Sequence, residues 1–500
     1  MKIKHYYSLW FLPLLCCWIA CNDYPKQADR KESSSPLIYP DYKEITIPPN
    51  IAPLNFELQP KRTEKNRTLK KGKAIATFSS DKYTFKVKAH NGFFRIPAKK
   101  WKTLLTHAKG TSIQIDLLAQ QGKEWCAYQP FKIHVAPDSI DGYIAYRLIP
   151  PGYELWNELG IYQRQLSTFE QSPIMQNKLI SHDCMNCHTF NQRNPNQLIY
   201  HIRGKNGGTI LRIGDKIEKL VTKTPETLSS LVYPAWHPSG KYIAFSVNVI
   251  KQNFHLKNPN RIEVFDLKSD VVVYDVKQHT IFTTPQLTDS TQLETFPTFS
   301  PDGKTLYYCT APRRTLPKEY DQVKYSICSL SFDPKTRTFG QSVDTLFNGP
   351  ASKHSASFPR LSPNGKLLLF THARYGNFSI WHQDADLYCI NLADRRIYPL
   401  RQANSSSVES YHDWSSNSHW IVFSSRRGDG LYTRPYFAHI NNKGEASKAF
   451  LLPSEDPHYY KELMLSYNIP EFITAKVSNR QHEMALIAKK ASSTPVIFKK

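Results

Sequence analysis

Between residues 50 and 137, apolar and polar positions alternate through "KAIATF", "YTFKVKA", "TSIQIDLLA" and "FKIHVA". Side chains two apart share one face of an extended chain, so each run predicts a strand with one buried face. Gly, Asn and Ser-Asp turns separate the runs. One segment, "PAKKWKTLLTHA", breaks the pattern and is a short helical candidate. These elements predict a small β-sandwich-like domain over 50–137.

Residues 138–196 follow a different pattern. A Pro-Pro-Gly break precedes a possible short helix from about Glu154, and Tyr143, Tyr146, Tyr153, Trp156 and Tyr162 crowd the segment. Such an aromatic stretch walls a large apolar ring or forms the core of an interdomain linker, and both readings stay open. From about 197 onwards a repeat takes over: "YPAWHPSGKYIAFSV", "TFPTFSPDGKTLYYC", "SFPRLSPNGKLLLFT" and a degenerate "YHDWSSNSHWIVFSS". Each unit joins two apolar strands through a turn in which Pro fixes φ and Gly supplies the positive φ of a tight bend. Further strands follow each hairpin, and four strands per unit make a propeller blade. Pro238, Pro301 and Pro363 recur about every 62 residues, longer than the ~40–45 of a standard blade, so loops carry insertions. "LIYHIRG…GTILRIGDKIEKLVT" and "SYNIPEFITAKV" add two more units, giving six blades over 197–500, with seven as the alternative. The fold class is all-β: a β-sandwich-like domain, a short linker region over 138–196, and a C-terminal propeller.

The start of the chain changes the setting. Lys2 and Lys4 precede an apolar run from Leu9 to Ala20, which is short for a membrane span but suits a secretory signal. Ala20-Cys21 resembles the cleavage site of a bacterial lipoprotein. That resemblance implies a signal peptide over 1–20, lipid on Cys21, and a polar tether over 21–49. The formal net charge is +23, and between Lys61 and Lys109 there are 15 Lys/Arg against Glu64 and Asp81. This is either a solvated surface or a face for anionic partners. With export expected, nucleic acid is not a partner.

Of nine cysteines, Cys126, Cys309, Cys328 and Cys389 do not form a small disulfide framework; Cys309 and Cys328 are candidates for neighbouring strands, as a pair or as buried free thiols. Cys184 and Cys187 stand in "SHDCMNCHTF" with His188 directly after. This is the c-type haem attachment spacing: two thiols add to one porphyrin edge and the adjacent imidazole binds iron from below. Zinc would want a second ligand pair, and none follows. A redox dithiol would want a thioredoxin-like βαβ context, also missing. The candidate cofactor-binding residues are therefore Cys184 and Cys187 for one covalent haem and His188 as the iron ligand. Met175 and His201 are the candidate distal ligands.

Taken together, the lipoprotein signal, "CMNCHTF", "HIRGKNGGT" and the Pro-x-Gly-Lys hairpins resemble Gram-negative envelope lipoproteins of the Tol-propeller-like, WD-like repeat group with a cytochrome c motif. The resemblance implies a periplasm-facing, membrane-anchored haem protein, with the outer membrane as the expected anchor. In that picture the propeller or basic domain docks an envelope redox or assembly protein during electron transfer. The alternative is a propeller binding module for an envelope protein or glycan, with a structural or sensory haem. Enzyme signatures are lacking: no G-x-S-x-G occurs, and "RGKNGGT" lacks the Lys-Ser/Thr of a phosphate loop. "SIWHQDADLY" places His382, Asp384 and Asp386 on one strand face, for ligand contact or for hydrogen bonding between blades.

Overall fold

The computed structural model describes residues 25, 27–59, 73–151, 158–258 and 260–499. The expected signal over 1–20, Cys21, Tyr153 and Trp156 lie outside them, as does 60–72 of the basic stretch. Among the described residues no helix is long and apolar enough to cross a membrane.

In the N-terminal domain, Ser112–Gln121 runs at the centre of a seven-stranded sheet and pairs with Ala74–Ser79, Glu124–Ala127 and Phe131–Val135. Its alternation is the expected one, with Ile113, Ile115, Leu117 and Ala119 buried. A three-stranded sheet of Ile38–Tyr39, Phe56–Leu58 and Phe93–Phe94 lies against it. Phe56 meets Phe78 across the gap at 6.5 Å between ring centroids. The helix Ala98–Ala108 buries Trp101, Leu104, Leu105 and Ala108, an i, i+3, i+4, i+7 stripe that seals one end of the same core.

The rest of the chain forms six four- or five-stranded sheets arranged as propeller blades. Their inner strands are Ser466–Ile473, Cys184–Phe190, Val232–Trp236, Gln292–Phe299, Ser355–Leu361 and Glu409–Trp414, in order around the ring. The first blade differs from the expected layout. Tyr143–Ile149, Gly160–Gln165 and Gln171–Gln176 are its outer three strands, and its inner strand is Ser466–Ile473 from the far end of the domain. Residues 138–196, read as a linker from the sequence, thus supply most of one blade and the inner strand of the next. The reason is physical: a ring of sheets has no free edge only if its last strand pairs with its first. Two further strands, Thr494–Pro495 and Ile497–Phe498, extend the outer edges of the second and third blades.

Of the crowded aromatics in the linker reading, the described Tyr143, Tyr146 and Tyr162 pack in or against hydrophobic cores rather than forming a ring-binding wall. Tyr146 is fully buried at 4.6 Å from Tyr467, in a cluster shared with the N-terminal domain and with Trp420 and Phe437 of the sixth blade. Cys309 and Cys328 do lie on neighbouring strands, but Cys328 pairs in register with Tyr308. The two thiols therefore point to opposite faces, into different core clusters, and both are free.

Candidate functional site

Each inner strand has the same irregularity. Cys187, Tyr233, Phe296, Phe358, Tyr411 and Ile469 take φ between 47 and 55°, and the ladder to the next strand slips there in every blade. These are β-bulges, which turn one side chain out of the alternation and aim it along the axis of the ring. A positive φ is costly for any of these residues and most of all for the β-branched Ile469. The packed ring holds all six in place. After the bulge comes His188, Pro234, Pro297, Pro359, His412 or Pro470, and then Thr189, Ala235, Thr298, Arg360, Asp413 or Glu471. "NCHTF" is thus the same unit as "VYPAW", "TFPTF", "SFPRL", "SYHDW" and "NIPEF", with Cys in place of the bulky residue and His in place of Pro.

Six inner strands enclose one axial channel, and the expected haem motif lies on its wall. At one mouth a cavity of about 220 Å³ is lined by Cys184, Asn186 and Cys187 with Arg147, Arg203, Arg426, Tyr233, Trp381 and Tyr411. Both thiols are free, and burial pushes that of Cys187 up. Arg147 pins the motif to the closing strand: it donates to Met185 O at 2.9 Å and to Asn468 Oδ1 at 3.0 Å. Arg426 stacks 3.4 Å over the Trp381 ring and donates to Ile380 O at 2.7 Å. Below the mouth the channel narrows to a space of about 50 Å³ beside His188, His412 and the bulge residues.

His188 and His412 occupy equivalent positions with different outcomes. The ring of His412 meets Leu369 O at 3.2 Å and Thr371 Oγ1 at 3.5 Å. Neither ring nitrogen of the buried His188 makes a hydrogen bond of good geometry, although the Ile469 backbone lies near enough to act on the ring. Burial, aided by Arg147, pushes its pKa down to about 3 against a weaker pull from the Ile469 backbone. The ring is neutral, and its lone pair is unclaimed by the protein. Next to His188, Glu471 of the neighbouring inner strand accepts from Thr189 Oγ1 at 2.7 Å and Phe190 N at 3.1 Å, and burial, then Asp413, pushes its pKa up to about 8.

The other expected ligands are not brought to His188. Met175 is fully buried on the outer strand Gln171–Gln176. His201 is buried on the second strand of its blade, where its Nδ1 lies 3.0 Å from Thr209 Oγ1. Neither lines the channel. His382 ties blades together instead of lining a ligand site: its Nε2 is 2.9 Å from Glu263 Oε2, while Tyr375 donates to Glu263 Oε1 at 2.6 Å. Asp384 accepts from Arg374 N at 2.7 Å. Arg147, Arg426, Trp381 and Asn468 are site residues that sequence reading missed. Of these only Asn468 carries a signal in the sequence, since the inner-strand unit aligns it with Asn186.

The residues present suit a covalent haem in kind: two free thiols, one buried imidazole with neither nitrogen in a good hydrogen bond, guanidinium groups for carboxylates, and aromatic walls. The mouth would not enclose a porphyrin whole, since ~300–1,000 Å³ is usual for enclosing sites.

No protein-family model matches the chain, and no curated protein does. Among solved structures, prolyl oligopeptidase B from Galerina marginata is 10% identical, with a TM-score of 0.35, over 67% of this chain and 42% of its own. The periplasmic gluconolactonase of Pseudomonas aeruginosa is 14% identical, with a TM-score of 0.35, over 65% and 99%. A DUF4784 family protein from Bacteroides caccae is 8% identical, with a TM-score of 0.30, over 72% and 94%. The chain thus spans less than half the length of the oligopeptidase. Likenesses this faint carry no argument about chemistry.

Proposed function

We propose that this protein is a c-type haem protein of the cell envelope that transfers electrons, with the propeller as docking scaffold. In this reading one haem is bound through Cys184 and Cys187, His188 is its protein ligand, and lipid on Cys21 anchors the chain facing the periplasm. The observation that carries it is His188, a buried imidazole with neither nitrogen in a good hydrogen bond, directly after Cys187 in the chain and with both thiols free. An unsatisfied buried polar group costs about 1–3 kcal/mol, which a ligand on this imidazole would recover. Haem, when bound, supplies the one-electron chemistry. The chain's own part is to fix the thiols on a pinned strand, to offer Arg147, Arg203 and Arg426 as carboxylate partners, and to shield His188 from water. Protein produced in a host with c-type maturation should carry one covalent haem and a reduced α-band. Cys184→Ser with Cys187→Ser should lose both, and a colourless wild-type protein would end the reading.

A second reading, a binding module for an anionic envelope partner, is favoured by the same arginine-rich, aromatic mouth. Partner capture that survives the double serine variant but fails in Arg426→Ala would select it.

A further inference from the structure

The last strand of the N-terminal domain ends at Val135, and the chain then crosses to the propeller. Asp138 lies in this crossing, whose backbone is tied to the turn before Trp420 in the sixth blade. Trp420 Nε1 donates to Asp138 O at 3.2 Å, Asn417 Nδ2 to Ser139 O at 2.7 Å, and Ser416 N to Asp141 Oδ2 at 2.7 Å. Two imidazoles face the Asp138 carboxylate. His419 comes from that turn, and His439 ends the strand Arg434–His439, directly opposite Trp420 in the ladder. One ligand atom from each of Asp138, His419 and His439 lies within 4.8 Å of the other two. We propose that these three side chains bind a first-row divalent cation, Zn²⁺ foremost, that clamps the N-terminal domain to the propeller.

The spacing that makes an ion pair here also suits a metal. His439 Nε2 is 3.5 Å from Asp138 Oδ2, beyond the ~2.7–3.2 Å of a good N–H···O bond. Ligand arms of ~2.1 Å in a tetrahedral zinc site give an edge of about 3.4 Å. His419 Nδ1 lies 3.1 Å from Ile440 O. Donation to that carbonyl fixes the tautomer and leaves the Nε2 lone pair outward, the usual second contact of a metal-bound histidine. Two imidazoles and one carboxylate leave a tetrahedral ion one position for water. A cleft of about 630 Å³ that His439 helps line gives the ion a path in.

The test uses the full chain, stripped with EDTA and titrated with ZnCl₂ and CoCl₂. One equivalent should bind, and the Co²⁺ spectrum should lack thiolate charge-transfer bands, which separates this site from Cys184 and Cys187. His419→Ala and the near-isosteric Asp138→Asn should each weaken binding at least tenfold, with unchanged circular dichroism. Zn²⁺ should also slow proteolysis of the crossing several-fold in wild type but not in His419→Ala. Three results would overturn the proposal: no saturable binding, affinity unchanged in both variants, or a thiolate spectrum that disappears with the cysteines.

Discussion

At His188 the residue type and the repeat make separate demands. Four of the six blades place Pro after the bulge, and the sixth satisfies its His412 through Leu369 and Thr371. Only the blade that carries Cys184 and Cys187 keeps an imidazole there with neither nitrogen in a good hydrogen bond. The motif itself was readable from five residues. Its place on a channel wall was not, because Cys and His replace the aromatic and the proline that mark the unit elsewhere. If His188 is the haem ligand, His188→Ala should change the reduced spectrum, while Met175→Ala and His201→Ala should leave it unchanged. An altered spectrum in either of the latter would place the ligand elsewhere. The turn glycines allow a sharper test of stability. Gly303 and Gly365 stand at equivalent bends with φ of +72 and +71°. A Cβ on Gly303 would meet His237 Nε2 at 2.3 Å, whereas at Gly365 nothing lies within 4 Å. Gly365→Ala should cost about 1–2 kcal/mol through its backbone alone, and Gly303→Ala about 1–3 kcal/mol more through the clash. Equal urea midpoints for the two variants would contradict this.

Among the elements, the hairpins with a Ser/His-Pro-x-Gly-Lys turn were legible because turn chemistry and strand alternation agree. The first blade was not, since its strands lack that turn and its inner strand lies at the other end of the domain. That strand, Ser466–Ile473, pairs with Tyr143–Ile149 over six positions and supplies Asn468 and Glu471 to the channel. A chain ended after residue 463 should therefore lose cooperative unfolding and bind hydrophobic dyes, and a retained sharp melt would show that the ring closes without it. A second element depends on one carboxylate. Glu263, on the strand Ile262–Asp275, is buried and holds both His382 and Tyr375. Glu263→Ala strands those partners and should cost about 2–5 kcal/mol by denaturant titration.

For the whole molecule, the buried titratable groups pull in opposite directions with pH. Burial lowers His201 and His372 to about 4 and His412 to about 3. Below pH 6.5 the unfolded chain takes up protons at these rings and the folded one does not, so stability falls as pH drops towards 4. Burial raises Glu294 to about 9 and Asp386 to about 6. Those carboxyls keep their protons in the fold, so their contribution is lost as pH rises through 6 and on towards 9. The two trends cross between about pH 6 and 7, where the urea midpoint should peak. A midpoint that climbs steadily to pH 9 would refute the balance. Ring closure also has a consequence in time. The strand carrying Asn468 and Glu471 is made after the other five inner strands, and until it arrives the channel lacks one wall. Cys184, Cys187 and His188 are thus accessible early and enclosed late, so the order of synthesis sets the interval in which anything can be fixed to them.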